Sequence, residues 1–215
     1  DRGTRIEVVR TLQELAESQM PKMDGRGVSN ILHAIAKAKA ADTGSMKQLV
    51  NKLMAKATPV SQSFDPQEVA NTVWALATMG VTPEAGLLRA MQGRATAVAG
   101  EFKPQDVANT VWAHACFGFP CGKGEEELFE ILAFRLLEVV SKMEPKQERQ
   151  VHQWLLTFEL EPSWDLSSLA QVNLVKQELG ERCRRSFVLE DPTPSDLQVD
   201  LALISRLTLS DHSLA

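Results

Sequence analysis

Apolar residues recur along this chain at one-, three- and four-residue steps, in blocks that start over. In FDPQEVANTVWALATMG, Phe64 to Gly80, the residues Val69, Ala70, Val73, Trp74 and Ala77 fall on one broad stripe of a helix. The stretch FKPQDVANTVWAHACFG begins 38 residues later and sets Val107, Ala108, Val111, Trp112 and Ala115 on the same stripe. Of the 17 aligned positions 12 are identical, so one helix is spelled twice.

The polar residues say where each helix begins and ends. Asp65 accepts the free N–H groups of a first turn, Pro66 supplies a helix-ready φ, and Glu68 completes a reciprocal capping box. Phe64 before the cap pairs with Val69 as a hydrophobic staple, and Phe102 with Val107 repeats the pair. Lys103 at the second cap has no acceptor, which predicts a weaker start. Gly80 and Gly118 stop the two helices in the left-handed conformation that glycine adopts cheaply.

Fainter copies flank the strong ones. MDGRGVSNILHAIAKA, from Met23, keeps the staple pair Met23 and Val28, a capping Asp24, and Asn30 at the offset of Asn71 and Asn109. MEPKQERQVHQWLLTFE, from Met143, keeps the apolar starter and Pro145, then drifts by about one position so that Trp154 stands in for the repeated tryptophan. Starts at Met23, Phe64, Phe102 and Met143 are 41, 38 and 41 residues apart. Second helices lie between them in MKQLVNKLMAKA, PEAGLLRAMQGRATAVA and GEEELFEILAFRLLEVVSK. A helix pair of this kind cannot bury its own apolar face, so the pairs must stack. The predicted fold is all-α, an α-solenoid of tandem helical-hairpin repeats of about 38–41 residues. Residues 1–22 form a capping helix from about Thr4, 23–162 the repeats, and 163–215 two closing helices, near Ser163 to Arg185 and Pro194 to Leu207. Trp74 and Trp112 are expected in equivalent buried positions.

The phrase F-x-P-Q-x-V-A-N-T-V-W-A, repeated at this period, resembles the octotricopeptide repeats of algae and related protists, relatives of the helical repeats that precede RAP domains in organellar proteins. RQVHQWLL and TPSDLQVDLALISRL look like the segment upstream of a RAP domain, and the chain stops where that domain would begin. The resemblance implies a role on RNA in a mitochondrion or chloroplast, with organellar rRNA or mRNA and the protein subunits of a larger assembly, a ribosome or other ribonucleoprotein, as partners.

Charge adds a direction along the chain. The net charge is −5, yet residues 1–60 hold 10 Lys/Arg against 6 Asp/Glu, while residues 125–215 hold 9 against 17. Polyanion contact therefore belongs to the N-terminal part. The candidate phosphate contacts are Lys37, Lys39, Lys47, Lys52, Lys56, Arg89 and Arg94, with Lys52 and Lys56 four apart on one helix face. Ordinary solubilising lysines are the alternative. Asn30, Asn71 and Asn109 offer base-reading carboxamides, but amid Ala and Val they are better read as ties between repeats. The chain has no tyrosine, and its tryptophans fall on apolar stripes, so aromatic base stacking is weakly supported.

Little else suggests chemistry. His114, Cys116 and Cys121 lack the spacing and number of a metal site and read as core. Three cysteines in all fit a reducing compartment, and no window approaches the 18 or more apolar residues of a membrane span. No nucleophile–base pairing or glycine-rich phosphate loop marks an enzyme, and no cofactor is expected. The start at Asp1 fits a mature product or a fragment. Two functions stay open: an organellar RNA-binding solenoid, and a scaffold in a large organellar assembly that has lost RNA contact.

Overall fold

The computed structural model describes residues 11, 13–38, 44–118, 123–160 and 169–188. Lys39, Cys121, the start of the capping helix and the helix expected at Pro194 to Leu207 lie outside them. The described elements are α1 (13–19), α2 (Gly25–Lys37), α3 (Gly44–Val60), α4 (Pro66–Thr78), α5 (Ala85–Val98), α6 (Pro104–Phe117), α7 (Lys123–Val139), α8 (Pro145–Leu160) and α9 (Ala170–Val188). Among the described residues there is no strand. A three-residue 3-10 turn precedes each starter, at Met20–Lys22, Ser61–Ser63, Ala99–Glu101 and Val140–Lys142, and closes on the starter's own N–H.

The caps follow the residues. Asp65 Oδ1 accepts from the Glu68 N–H at 2.8 Å and Glu68 Oε2 from the Asp65 N–H at 3.0 Å, a complete box. Lys103 supplies no side-chain acceptor, so α6 keeps only the returning half, Lys103 N–H to Asp106 Oδ2 at 3.0 Å. In the last unit Gln147 Oε1 returns to the Glu144 N–H at 2.9 Å. Gly80 and Gly118 stand at φ 65° and 66°.

The helices form two layers. First helices α2, α4, α6 and α8 pack side by side in one, and second helices α3, α5, α7 and α9 in the other. The first-helix layer is the more tightly spaced, because Ala70, Ala75, Ala77, Ala108, Ala113 and Ala115 at its contacts are buried and small. Closer spacing in one layer curves the stack toward that side. Gly25 lies where a Cβ would come within 2.8 Å of the Phe64 ring, which sets the approach of the first two units.

Two expectations are corrected. The Glu144–Gln147 cap holds α8 in the same register as the other first helices, so no drift occurs. Ten positions after the starters stand His33, Trp74, Trp112 and Gln153, and Trp154 is one place further on. The two tryptophans are also unequally buried. Trp112 is fully enclosed and donates its indole N–H to Gln153 Oε1 at 2.8 Å, whereas Trp74 is half-buried with the His33 ring edge-on at 5.3 Å.

Candidate nucleic-acid interface

Of the seven cations singled out from the sequence, Lys39 lies outside the described residues and the other six are spread over α2, α3 and α5. Lys47 and Lys52 are exposed on α3, and Arg89 is exposed on the neighbouring second helix α5. Five residues of helix turn Lys47 and Lys52 apart by about 140°, so they edge the solvent face of α3 rather than share a spot. Lys52 also meets Glu17 Oε1 of α1 at 3.0 Å, and that hydrogen bond holds the Glu17 carboxyl below its usual range. Lys37 is exposed at the C-terminal end of α2, where its charge joins burial in lowering the His33 pKa.

Lys56 and Arg94 are engaged differently. Arg94 Nε donates to the Phe64 carbonyl at 2.6 Å, tying α5 to the start of its own unit. Arg135 Nε does the same to the Phe102 carbonyl at 2.8 Å, and Lys56 Nζ reaches the Pro21 carbonyl at 3.1 Å. All three stand eight residues before the next starter; Arg94 and Arg135 repeat one strut to the starter carbonyl of their own unit, while Lys56 reaches a carbonyl two residues ahead of its starter Met23. The spacing was present in the sequence, and reading by charge alone passed over it.

The repeated asparagines sit in the first-helix layer. Asn109 is buried, and its Oδ1 accepts from Gln105 Nε2 at 2.7 Å and from Gln150 Nε2 of α8 at 3.0 Å. Gln147 Nε2 donates to Gln105 Oε1 at 3.3 Å, and the amides thus close a polar seam between α6 and α8. Asn109 is a tie between repeats. Asn71 is half-buried and Asn30 exposed, so toward the N-terminal end the same row opens to solvent beside Trp74 and His33. Arg26, 74% exposed, lies there also, 3.4 Å from Glu68.

His114 is fully buried, edge-on to Phe117 and Phe129, with Nδ1 on the Thr110 carbonyl at 2.8 Å. A carbonyl only accepts, so Nδ1 carries the proton in that bond, and burial lowers the ring's pKa. Cys183 is buried, and burial followed by the Glu148 charge pushes its thiol up to about 12, which leaves it inert. Among the described residues no group of His, Cys, Asp and Glu is arranged to hold a metal, and no helix is long and apolar enough to cross a membrane.

The C-terminal end is held by carboxylates. Glu130 of α7 accepts the Gln171 N–H at 2.9 and 3.0 Å and the Val172 N–H at 3.3 Å, capping α9 from the neighbouring second helix. Buried Glu148 of α8 accepts from Arg182 Nε at 2.6 Å and from the Ser186 hydroxyl, clamping α9 across the layers.

The family model for the Tbc2 translation factor, N-terminal domain, matches residues 6–214. It runs through the capping helix, the repeats and the closing segment alike, and the chain belongs to that family. No curated protein matches the chain significantly.

Proposed function

We propose that this chain is an RNA-contacting helical-repeat domain that serves translation in a mitochondrion or chloroplast, without enzymatic activity of its own. The observation that carries the reading is the family match over residues 6–214, which supports a role in translation for the repeats as a whole. Phosphate contact falls to the outward cations Lys37, Lys47, Lys52 and Arg89, with Lys39 beside them in sequence. Lys56 and Arg94 have a prior task, since each holds a backbone carbonyl, Lys56 that of Pro21 and Arg94 that of Phe64. The larger assembly would supply protein neighbours for the acidic C-terminal part.

The test is fluorescence anisotropy with single-stranded RNAs of several sequences across a salt series. Replacing Lys37, Lys47 and Arg89 together by Glu should weaken every RNA alike and reduce the log–log salt slope by about 2, at about 0.7 per lost contact. Arg94→Gln should lower stability and leave the slope unchanged. An unaltered slope in the triple variant would defeat the phosphate assignment. A wild-type chain that binds none of the RNAs favours the scaffold reading, to which the 17 Asp/Glu against 9 Lys/Arg of residues 125–215 already lend weight.

A further inference from the structure

The repeat permits a position-by-position comparison of what covers each first helix. Eleven places after the starter stand Ala34, Ala75 and Ala113. Ala75 and Ala113 are 0% exposed, yet Ala34 is exposed. Eight places after it, Thr72 and Thr110 are buried while Ile31 is only half-buried. In unit one the same interface row is written into the sequence with nothing among the described residues to cover it.

A hollow of about 370 Å³ lies along this row, almost wholly apolar, between α1, α2 and α3. Ile31 and Ala34 of α2 and its C-cap residue Ala38 line one side, Leu15 and Ala16 of α1 another, and Leu49 of α3 the floor. Leu15 at the rim is 57% exposed, an uncommon state for leucine beside an apolar hollow. The place of α1 explains the geometry. Its closing turn, Met20–Lys22, corresponds to the turns that end α3, α5 and α7, and Glu17 of α1 bonds Lys52 of α3 at 3.0 Å. α1 therefore occupies the second-helix layer, and the place across from it in the first-helix layer is the hollow.

We propose that this hollow seats a first-type repeat helix presented by a partner polypeptide, extending the α2–α4–α6–α8 layer by one member. The occupant's chemistry follows from continuity with the stack: a short helix with Ala and β-branched residues on one face, able to approach Ala34 as closely as α2 approaches α4. This inference stands apart from the RNA reading, because it concerns the side of α2 away from α4 and none of the outward cations.

The experiment uses the full chain and a fluorescent peptide, FDPQEVANTVWALATMG, held helical by a crosslink on its solvent face because a 17-residue peptide alone is marginally helical. Saturable binding is expected, with Ala34→Glu weakening it at least about tenfold, or 1.4 kcal/mol. Exposed Ala34 tolerates substitution, and an unchanged urea midpoint confirms the fold of the variant. The Val73→Pro peptide, which cannot form the helix, should not bind. Equal binding to wild type and Ala34→Glu, or no saturable binding, would overturn the proposal. So would self-association of the chain that Ala34→Glu abolishes, which assigns the face to a second copy.

Discussion

Trp74 and Trp112 carry the same letter at the same repeat position, and their surroundings separate them. Trp112 of α6 is fully enclosed with its N–H on Gln153 of α8, while Trp74 meets a histidine edge and keeps part of its surface in solvent. Trp112→Ala should cost about 3–5 kcal/mol, and Trp74→Ala at least about 1 kcal/mol less because less surface is buried there. Urea unfolding of both variants checks the order, and equal losses would mean that the environments are equivalent after all. The periodicity made both tryptophans legible as core-facing. Their inequality was not legible, because it depends on the neighbour ten places into the adjacent unit, His33 in one case and Gln153 in the other. The last copy shows the same dependence: its tryptophan, Trp154, stands one place past the repeated position, whereas the backbone is registered by the Gln147 cap.

Helix starts were the most readable elements, since Asp65, Pro66 and Glu68 act on their immediate neighbours. Long-distance caps were invisible: Glu130 and the α9 N–H groups it accepts are 41 and 42 residues apart. Replacing Glu130 by Ala should cost about 0.5–2 kcal/mol, as other lost N-terminal caps do. The amides of Gln171 and Val172 should then exchange faster while those at the start of α4 do not, which hydrogen exchange can resolve. The candidate interface was legible only in part. Lys47, Lys52 and Arg89 are exposed as solvated residues of amphipathic helices should be, but nothing in charge alone distinguishes them from Lys56 and Arg94, whose carbonyl partners lie 35 and 30 residues away.

For the whole molecule, three histidines share one tendency: burial leads in lowering the pKa of His33, His114 and His152. A depressed folded pKa means the unfolded chain binds protons first, at its ordinary value of about 6.5. Stability should therefore be full above that value and fall as the pH drops through it, by at most about 1.4 kcal/mol per pH unit for fully buried His114 and by less for His33 and His152, whose half-exposed rings are screened by solvent. Unfolding midpoints at pH 7.5 and 5.5 should show this, and His114→Leu should shrink the difference without removing it, since His33 and His152 remain. A pH-independent midpoint would deny the burial effect. The span of the ties has a further consequence. The named hydrogen bonds that join separate helices, together with that from Gln105 Nε2 to Gln150 Oε1 at 3.3 Å, connect residues 30 to 45 apart, about one repeat, with none of them reaching across the length of the stack. During synthesis, then, a unit has its partners as soon as the next 45 or so residues have left the ribosome, and it need not wait for the end of the chain. Pulled from its two ends, such a molecule should yield in successive small extensions, one hairpin at a time, rather than in a single rupture.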